Sequence, residues 1–403
     1  MGLGALRAWG LAGVFVIGLG ACVSSGRVEP SPTMPASASV EGDSPERCDV
    51  ALDDPCVAWR IDEVKSAAVG GDLAVAVHVD GRVVAYDATS GAARWDDRFP
   101  GEVSARAVRG GRVYLQSPTE VFVVSAEDGT ELWRRAGSLL DLADTDGIVL
   151  VHTGQGVEAV AVEGGETVWS AAVADQFQFV LGGLGDSGRV ILADSETSLV
   201  EYDRTTGEQL WRYQTSPGIS AITSTLAAVR HTADSYLVLD NGGNVLAEHD
   251  MDAGGWLATI DDQLVELRFA GGLRGIDADT GAYAWELPNA IPAQSFGDLY
   301  SGASRLPPAL VAGTNMDGVE VVGMIDPGTG QPRWQMRANI DLRFAVAGDV
   351  YVVLIRATGV TTWHDKQTGR PAATVIIRNP QILSDDPAVV LSDDSLIGLE
   401  LAG

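Results

Sequence analysis

One pattern, Asp-x-x-Thr/Ser-Gly-x-x-x-Trp, recurs along this 403-residue chain and constrains its fold more than any other feature. It reads Asp87-Ala-Thr-Ser-Gly91-Ala-Ala-Arg-Trp95 at its first clear occurrence. It returns from Asp203 to Trp211, from Asp277 to Trp285 and from Asp326 to Trp334. Two further copies lack the Asp but keep the offset, Gly129 with Trp133 and Gly165 with Trp169. With Gly243 and Gly369 added, the glycines are separated by 38, 36, 42, 36, 38, 49 and 39 residues. A period near 40 filled with strand patterns indicates β-propeller blades rather than a helical solenoid. No long 3.6-residue period competes with that reading.

One unit shows the construction. Leu73 to His78 reads as a buried strand closed by the hairpin signal Asp80-Gly81. Val83 to Tyr86 is the next strand, and Asp87 to Gly91 the turn after it. An Asp there accepts hydrogen bonds from following amides, and a Gly adopts the positive φ such a turn requires. Trp95 then falls on an outer strand, and Val103 to Val108 opens the next unit. A blade cannot bury both of its faces alone, so a large aromatic at a fixed outer position fills the wedge to its neighbour. Trp59, Trp95, Trp133, Trp169, Trp211, Trp285 and Trp334 share this register. Ala247 and Ala373 stand where Trp is expected, which predicts looser wedges at those two places.

The ends of the chain complement each other. Cys56-Val-Ala-Trp59-Arg-Ile61 is an outer strand with no turn before it, while Val389–Leu391 and Leu396–Leu401 are strands with no outer strand after them. An N-terminal strand that completes the C-terminal blade removes exposed sheet edges. The expected fold is therefore an all-β propeller of four-stranded blades over residues 48–403. Direct counting of units gives nine. Eight is expected, within a range of seven to nine, with either the 49-residue interval containing Leu306-Pro-Pro308 or the terminal repeat degenerate.

Ahead of the repeats, residues 1–21 carry Arg7 and then an apolar run from Ala8 to Ala21. The run is too short to span a bilayer and has the form of an export signal. It ends Leu19-Gly20-Ala21-Cys22, which resembles the lipobox of bacterial lipoproteins. By that resemblance Cys22 carries diacylglycerol, becomes the first residue of the mature chain, and anchors it on the extracytoplasmic face of a bacterial membrane without spanning it. Residues 22–47, rich in Pro, Ser and Ala, form a tether with no apolar period. Cys48 and Cys56 are then the remaining thiols and most simply pair in an exported protein, metal binding being the lesser alternative because no His is near. A net charge of −28 disfavours nucleic acid, because an acidic surface repels phosphate.

The recurring stretch Ala85-Tyr-Asp87-Ala-Thr-Ser-Gly91-Ala-Ala-Arg-Trp95 resembles the tryptophan-docking repeat of pyrroloquinoline-quinone-like propellers. The resemblance covers Trp59 to Leu401. That family includes quinoprotein alcohol dehydrogenases and non-enzymatic lipoproteins similar to the propeller subunit of the outer-membrane β-barrel assembly machinery. The dehydrogenases use an adjacent Cys-Cys pair over the quinone and a Glu, Asn and Asp set around calcium. No stretch here matches either, so the resemblance implies the non-enzymatic branch, with no cofactor, no catalytic residues and no metal. Asp144-Thr-Asp-Gly147 begins like a calcium loop but lacks the later carboxylate and reads as a turn.

A polar series remains. His78, Gln116, His152, Asp194, Arg268, Asp317 and Arg356 lie thirteen residues before their glycines, and His231 lies twelve before Gly243. The register puts them at the ends of equivalent second strands, as a tentative binding face. The expected protein is a monomeric, membrane-anchored scaffold for a protein or envelope partner. The alternatives are a quinone-dependent or other small-molecule enzyme, and a ligand sensor coupled to a membrane partner.

Overall fold

The computed structural model describes residues 47–49, 56–143, 147–172, 189–195, 198–214, 219–232, 234–251, 256–260, 262–268, 272–288, 290–292, 310–314, 320–337, 342–347, 351–356, 360–377, 380–385, 387–392 and 394–399. The export signal, Cys22, most of the tether, Asp144, Leu306-Pro-Pro308 and Asp317 lie outside these residues. Every regular element described is a β-strand.

The first sheet consists of Val64–Gly70, Leu73–His78, Arg82–Asp87 and Ala93–Arg98, antiparallel in that order. Leu73–His78 is buried at every position, as an apolar second strand must be when neighbouring sheets cover both faces. Gly81 turns the chain at φ 84° and donates its N–H to the His78 carbonyl. Between the third and fourth strands the register shifts by one residue at the Trp position, and this bulge recurs in all nine sheets. A bulge adds local twist and re-aims one side chain, here the docking residue.

Eight more sheets follow. They span 104–136, 138–172, 189–214, 219–250, 256–288, 290–337, 342–376 and 380–399. The fourth, 189–214, has three strands among the described residues. Among the described residues there are nine sheets, the upper end of the expected range of seven to nine. Neither suspected unit is degenerate. The long interval before Gly330 carries the complete sheet Ala290–Pro292, Leu310–Thr314, Glu320–Ile325 and Pro332–Arg337. Its extra length falls between Pro292 and Leu310, outside the described residues. The terminal repeat supplies Pro380–Asp385, Ala388–Ser392 and Ser395–Leu399, and Val57–Ile61 adds antiparallel to the last as the fourth strand. A short N-terminal strand not anticipated from sequence, Arg47–Asp49, adds parallel to the free edge of Pro371–Ile376 in the eighth sheet.

The core lies between the sheets. Val75, Val83 and Leu73 of the first sheet pack with Leu115, Phe122 and Val124 of the second. Equivalent clusters join the second to third, third to fourth, fourth to fifth and fifth to sixth sheets. Another joins the eighth to the ninth. The ninth also packs on the first, where Trp59, Val389 and Leu396 meet Val64, Ala74 and Ala76. At that contact Arg60 and Ser395 both reach Asp62, at 2.8 Å each, and hold its carboxyl below the usual range.

Candidate functional site

Three sets of side chains are placed where binding or chemistry is open to test: the docking tryptophans, the polar strand ends, and a buried cluster between the fifth and sixth sheets.

The tryptophan dock is built from the turn outward. In the first unit Asp87 Oδ1 accepts the Thr89 and Ser90 amides at 3.1 and 2.8 Å, and Gly91 closes the turn by donating to the Asp87 carbonyl. Gly91 has φ 68°, and a Cβ on it would lie 2.6 Å from Trp59 Cγ. Backbone and indole both demand glycine there. The Trp59 indole N–H then donates to the Ala88 carbonyl at 3.0 Å. The same bond recurs from Trp95 to Ala126, Trp133 to Val162, Trp169 to Arg204, Trp285 to Pro327 and Trp334 to Lys366, at 2.7–3.0 Å. Each indole thus joins its own sheet to the turn of the next.

Trp211 is the exception. It packs on Gly243, yet among the described residues its buried Nε1 finds no acceptor. The turn Asp240-Asn-Gly-Gly243 is one residue shorter than the others. Gly243 donates to a carbonyl three residues back, where Gly91 reaches four back. The shorter turn does not present a carbonyl to the indole.

The wedges at Ala247 and Ala373 are filled, which corrects the expectation that they are loose. Ala373 pairs across the ladder with Trp363, a completely buried side chain that has moved to the adjacent strand. At Ala247 the next turn settles inward instead, so that a Cβ on Gly281 would lie 3.0 Å from Leu246 Cβ and 3.2 Å from Ala247 Cβ. His249 takes over the indole's role, with Nε2 at 2.7 Å from the Gly281 carbonyl.

Behind His249 lies the cluster that sequence reading missed. The His249 ring packs on Tyr236 and Tyr283 at 5.1 and 4.2 Å between centroids. Both phenols donate to Glu266 Oε2, Tyr283 at 2.6 Å and Tyr236 at 3.3 Å. Glu266 is fully buried, and among the described residues its Oε1 accepts no hydrogen bond. Arg274 lies 3.8 Å from Glu266, packs over the Tyr283 ring and also faces Glu286. Burial first, then the neighbouring Glu266 carboxylate and the phenols' contact with each other, push the Tyr236 hydroxyl far above its ordinary range; burial leads at Tyr283 too. Phenols held protonated in this way are donors, not bases. The cluster joins the fifth and sixth sheets through its hydrogen bonds. A second buried ion pair, Arg189 with Glu201 at 2.6 Å through both nitrogens, also reaches the Thr223 carbonyl of the next sheet. No local motif announces either group; Glu201 and Glu266 sit in strands where apolar residues are the expectation.

The described members of the polar series lie at or just beyond the ends of second strands, and they differ in use. His78 is buried, with Nε2 at 2.9 Å from the Tyr86 hydroxyl. Gln116 is structural: its amide accepts from Leu139 N–H at 2.6 Å and donates to the Glu120 and Gly137 carbonyls, tying the second sheet to the third. Arg268 pairs with Glu286 at 3.0 Å. His152 is half-buried and His231 exposed, and among the described residues neither side chain has a hydrogen-bond partner. Asp194 and Arg356 lie on the strands Arg189–Ser195 and Tyr351–Arg356; their side chains lie outside the described residues.

The three cysteines are at 22, 48 and 56, with no adjacent pair. Among the described residues no three His, Cys, Asp or Glu side chains converge as metal ligands.

Several solved structures align with this chain. A BamB crystal structure from Moraxella catarrhalis aligns with TM-score 0.46 at 16% identity, covering 85% of this chain and 97% of that one. A quinohemoprotein alcohol dehydrogenase from Comamonas testosteroni aligns with TM-score 0.45 at 12% identity, covering 86% and 76%. The C-terminal WD40 domain of Sif2 aligns with TM-score 0.50 at 10% identity, covering 86% and 98%, a likeness of fold alone. No curated protein matches the sequence. A family model described as outer membrane protein assembly factor BamB matches residues 50–180 and 121–339. On that match over most of its length, this β-propeller chain belongs to the BamB family.

Proposed function

We propose that this protein is a lipid-anchored extracytoplasmic propeller that serves, as a monomer and without catalytic turnover, as a binding scaffold for a protein or cell-envelope partner. Family membership carries the reading, since the family is described as an outer-membrane assembly factor. The use of the repeat's polar groups supports it: the Asp and its Thr or Ser close the turn, and the indole N–H joins sheet to sheet. The segment Leu19-Gly20-Ala21-Cys22 supplies the anchor, and residues 22–47 the tether that lets the folded body turn above the membrane. Cys48 and Cys56 pair just beyond it; Cys56 is not a free thiol.

Partner capture uses the second-strand ends, and among the described side chains of that series His152 and His231 are the ones the fold does not use. Replacing both with Ala should abolish crosslinking to the partner in intact cells, while unfolding stability changes by no more than about 0.5 kcal/mol. Undiminished capture refutes the assignment of this face. Added quinone and calcium are predicted to leave the absorbance of the purified protein equal to the sum of the components. A bound-quinone spectrum would refute the non-catalytic reading. Radiolabelled palmitate should enter the wild-type chain and not the Cys22→Ser variant.

A further inference from the structure

We propose that the Cys48–Cys56 bond is a covalent clasp across the seam between the eighth and ninth sheets, standing where the other junctions have a ring-to-turn dock. The inference rests on the pairing of these cysteines proposed above. Among the described residues, seven junctions have a fourth-strand Trp seated on the next sheet's turn, and His249 serves an eighth. The junction from the eighth sheet to the ninth has neither. Its fourth strand, Pro371–Ile376, carries Ala373 in the docking register.

Topology gives the reason. A dock needs the turn that links the third and fourth strands of the following sheet. In the ninth sheet those strands are Ser395–Leu399 and Val57–Ile61, which come from opposite ends of the chain and have no turn between them. An indole at position 373 would have nothing to dock on. Trp363, directly opposite, fills the core instead.

Both cysteines are placed at this gap. Arg47–Asp49 lies along the free edge of Pro371–Ile376, with Cys48 opposite Val375, and so belongs to the eighth sheet. Cys56 immediately precedes Val57–Ile61 of the ninth sheet. It stands three residues before Trp59, as Ala92 stands three before Trp95, which is the place directly after the turn glycine in a regular unit. It packs against a cluster that contains Ala373 and Val375 of the eighth sheet and Ala388 and Ile397 of the ninth. One bond between these positions fastens a strand of each sheet to the other where the turn is missing.

The test uses the full chain. Non-reducing peptide mapping first reports whether Cys48 and Cys56 are linked. Hydrogen exchange is then compared for the oxidised protein, the protein reduced with a phosphine, and the Cys48→Ser/Cys56→Ser variant. Closing a loop this short restrains the opened chain enough to slow its exchange roughly ten- to a hundred-fold. The expected result is that acceleration on that scale, in both reduced protein and variant, is confined to 47–49, 371–376, 57–61 and 395–399, while the second and third sheets exchange as before. Unlinked cysteines overturn the pairing and the clasp with it. A confirmed link whose reduction leaves those segments unchanged overturns the clasp and leaves the pairing. Acceleration spread evenly over all sheets overturns the seam as its place of action.

Discussion

Replacing Gly207 with Ala isolates what the tryptophan dock contributes. Gly207 has φ +71°, and a Cβ there would stand 2.4 Å from Cγ and 2.6 Å from Cβ of Trp169. The indole is held in place: its N–H donates to the Arg204 carbonyl at 2.7 Å, and the Tyr202 ring stacks against it at 5.9 Å. Two costs follow. The left-handed backbone costs an L-residue about 1–2 kcal/mol. Overpacking against a fixed ring adds about 1–3 kcal/mol. Gly71 gives the control, with φ +58° and nothing within 4 Å of where a Cβ would stand, so Gly71→Ala should show the backbone cost alone. Urea unfolding of the two variants, followed by far-UV circular dichroism, should separate them by about 1–3 kcal/mol, Gly207→Ala being the less stable. Equal destabilisation would refute the claim that the turn glycine is required by the docked indole as well as by its φ.

Trp169→Phe should cost about 1 kcal/mol more than Trp211→Phe in the same assay, because the first strands the Arg204 carbonyl and the second removes an N–H that had no acceptor. Ala247→Trp should destabilise by about 1–3 kcal/mol, since the Gly281 turn already occupies the wedge; a gain in stability would mean that the wedge is open. Turn aspartates give the pH dependence. Arg94 first, then the Ser90 amide and hydroxyl, hold the Asp87 carboxyl well below its usual range, and the Thr280 hydroxyl and amide lower Asp277. A depressed folded-state value stabilises fully above the unfolded value of about 4 and is lost as pH falls through the folded one. Thermal midpoints of the Asp87→Asn/Asp277→Asn variant should therefore fall less steeply than wild type below about pH 4; parallel curves would remove these carboxylates from the acid transition.

Local rules made much of the fold legible. Turn glycines, the aspartates that cap them and the docking tryptophans each follow from chemistry within a few residues, and the structure places them accordingly. The N-terminal strand was legible because two incomplete ends matched. Direct counting of units matched the nine sheets among the described residues; the preference for eight arose because the 49-residue interval looks like a damaged unit until its described strands are seen to pair normally. Trp363 and His249 replace absent wedge tryptophans from other strand positions, which a fixed offset cannot reveal. The shortened Asp240 turn was visible in the offset of twelve rather than thirteen at His231, and its consequence at Trp211 Nε1 follows from turn length alone. For the polar series, sequence placed the residues at strand ends but not their partners. Gln116 bonds across to Leu139, and His78 bonds to Tyr86 within its own sheet, contacts that depend on packing.

The most direct measurement of the scaffold reading is site-specific photo-crosslinking in intact cells, with the reactive side chain introduced in turn at His152, at His231 and at Ser170, an exposed position on the strand Thr167–Ala172. A discrete adduct of the same mass shift from His152 and His231, and none from Ser170, is the predicted result. Adducts of equal yield from all three positions, or from Ser170 alone, would contradict it.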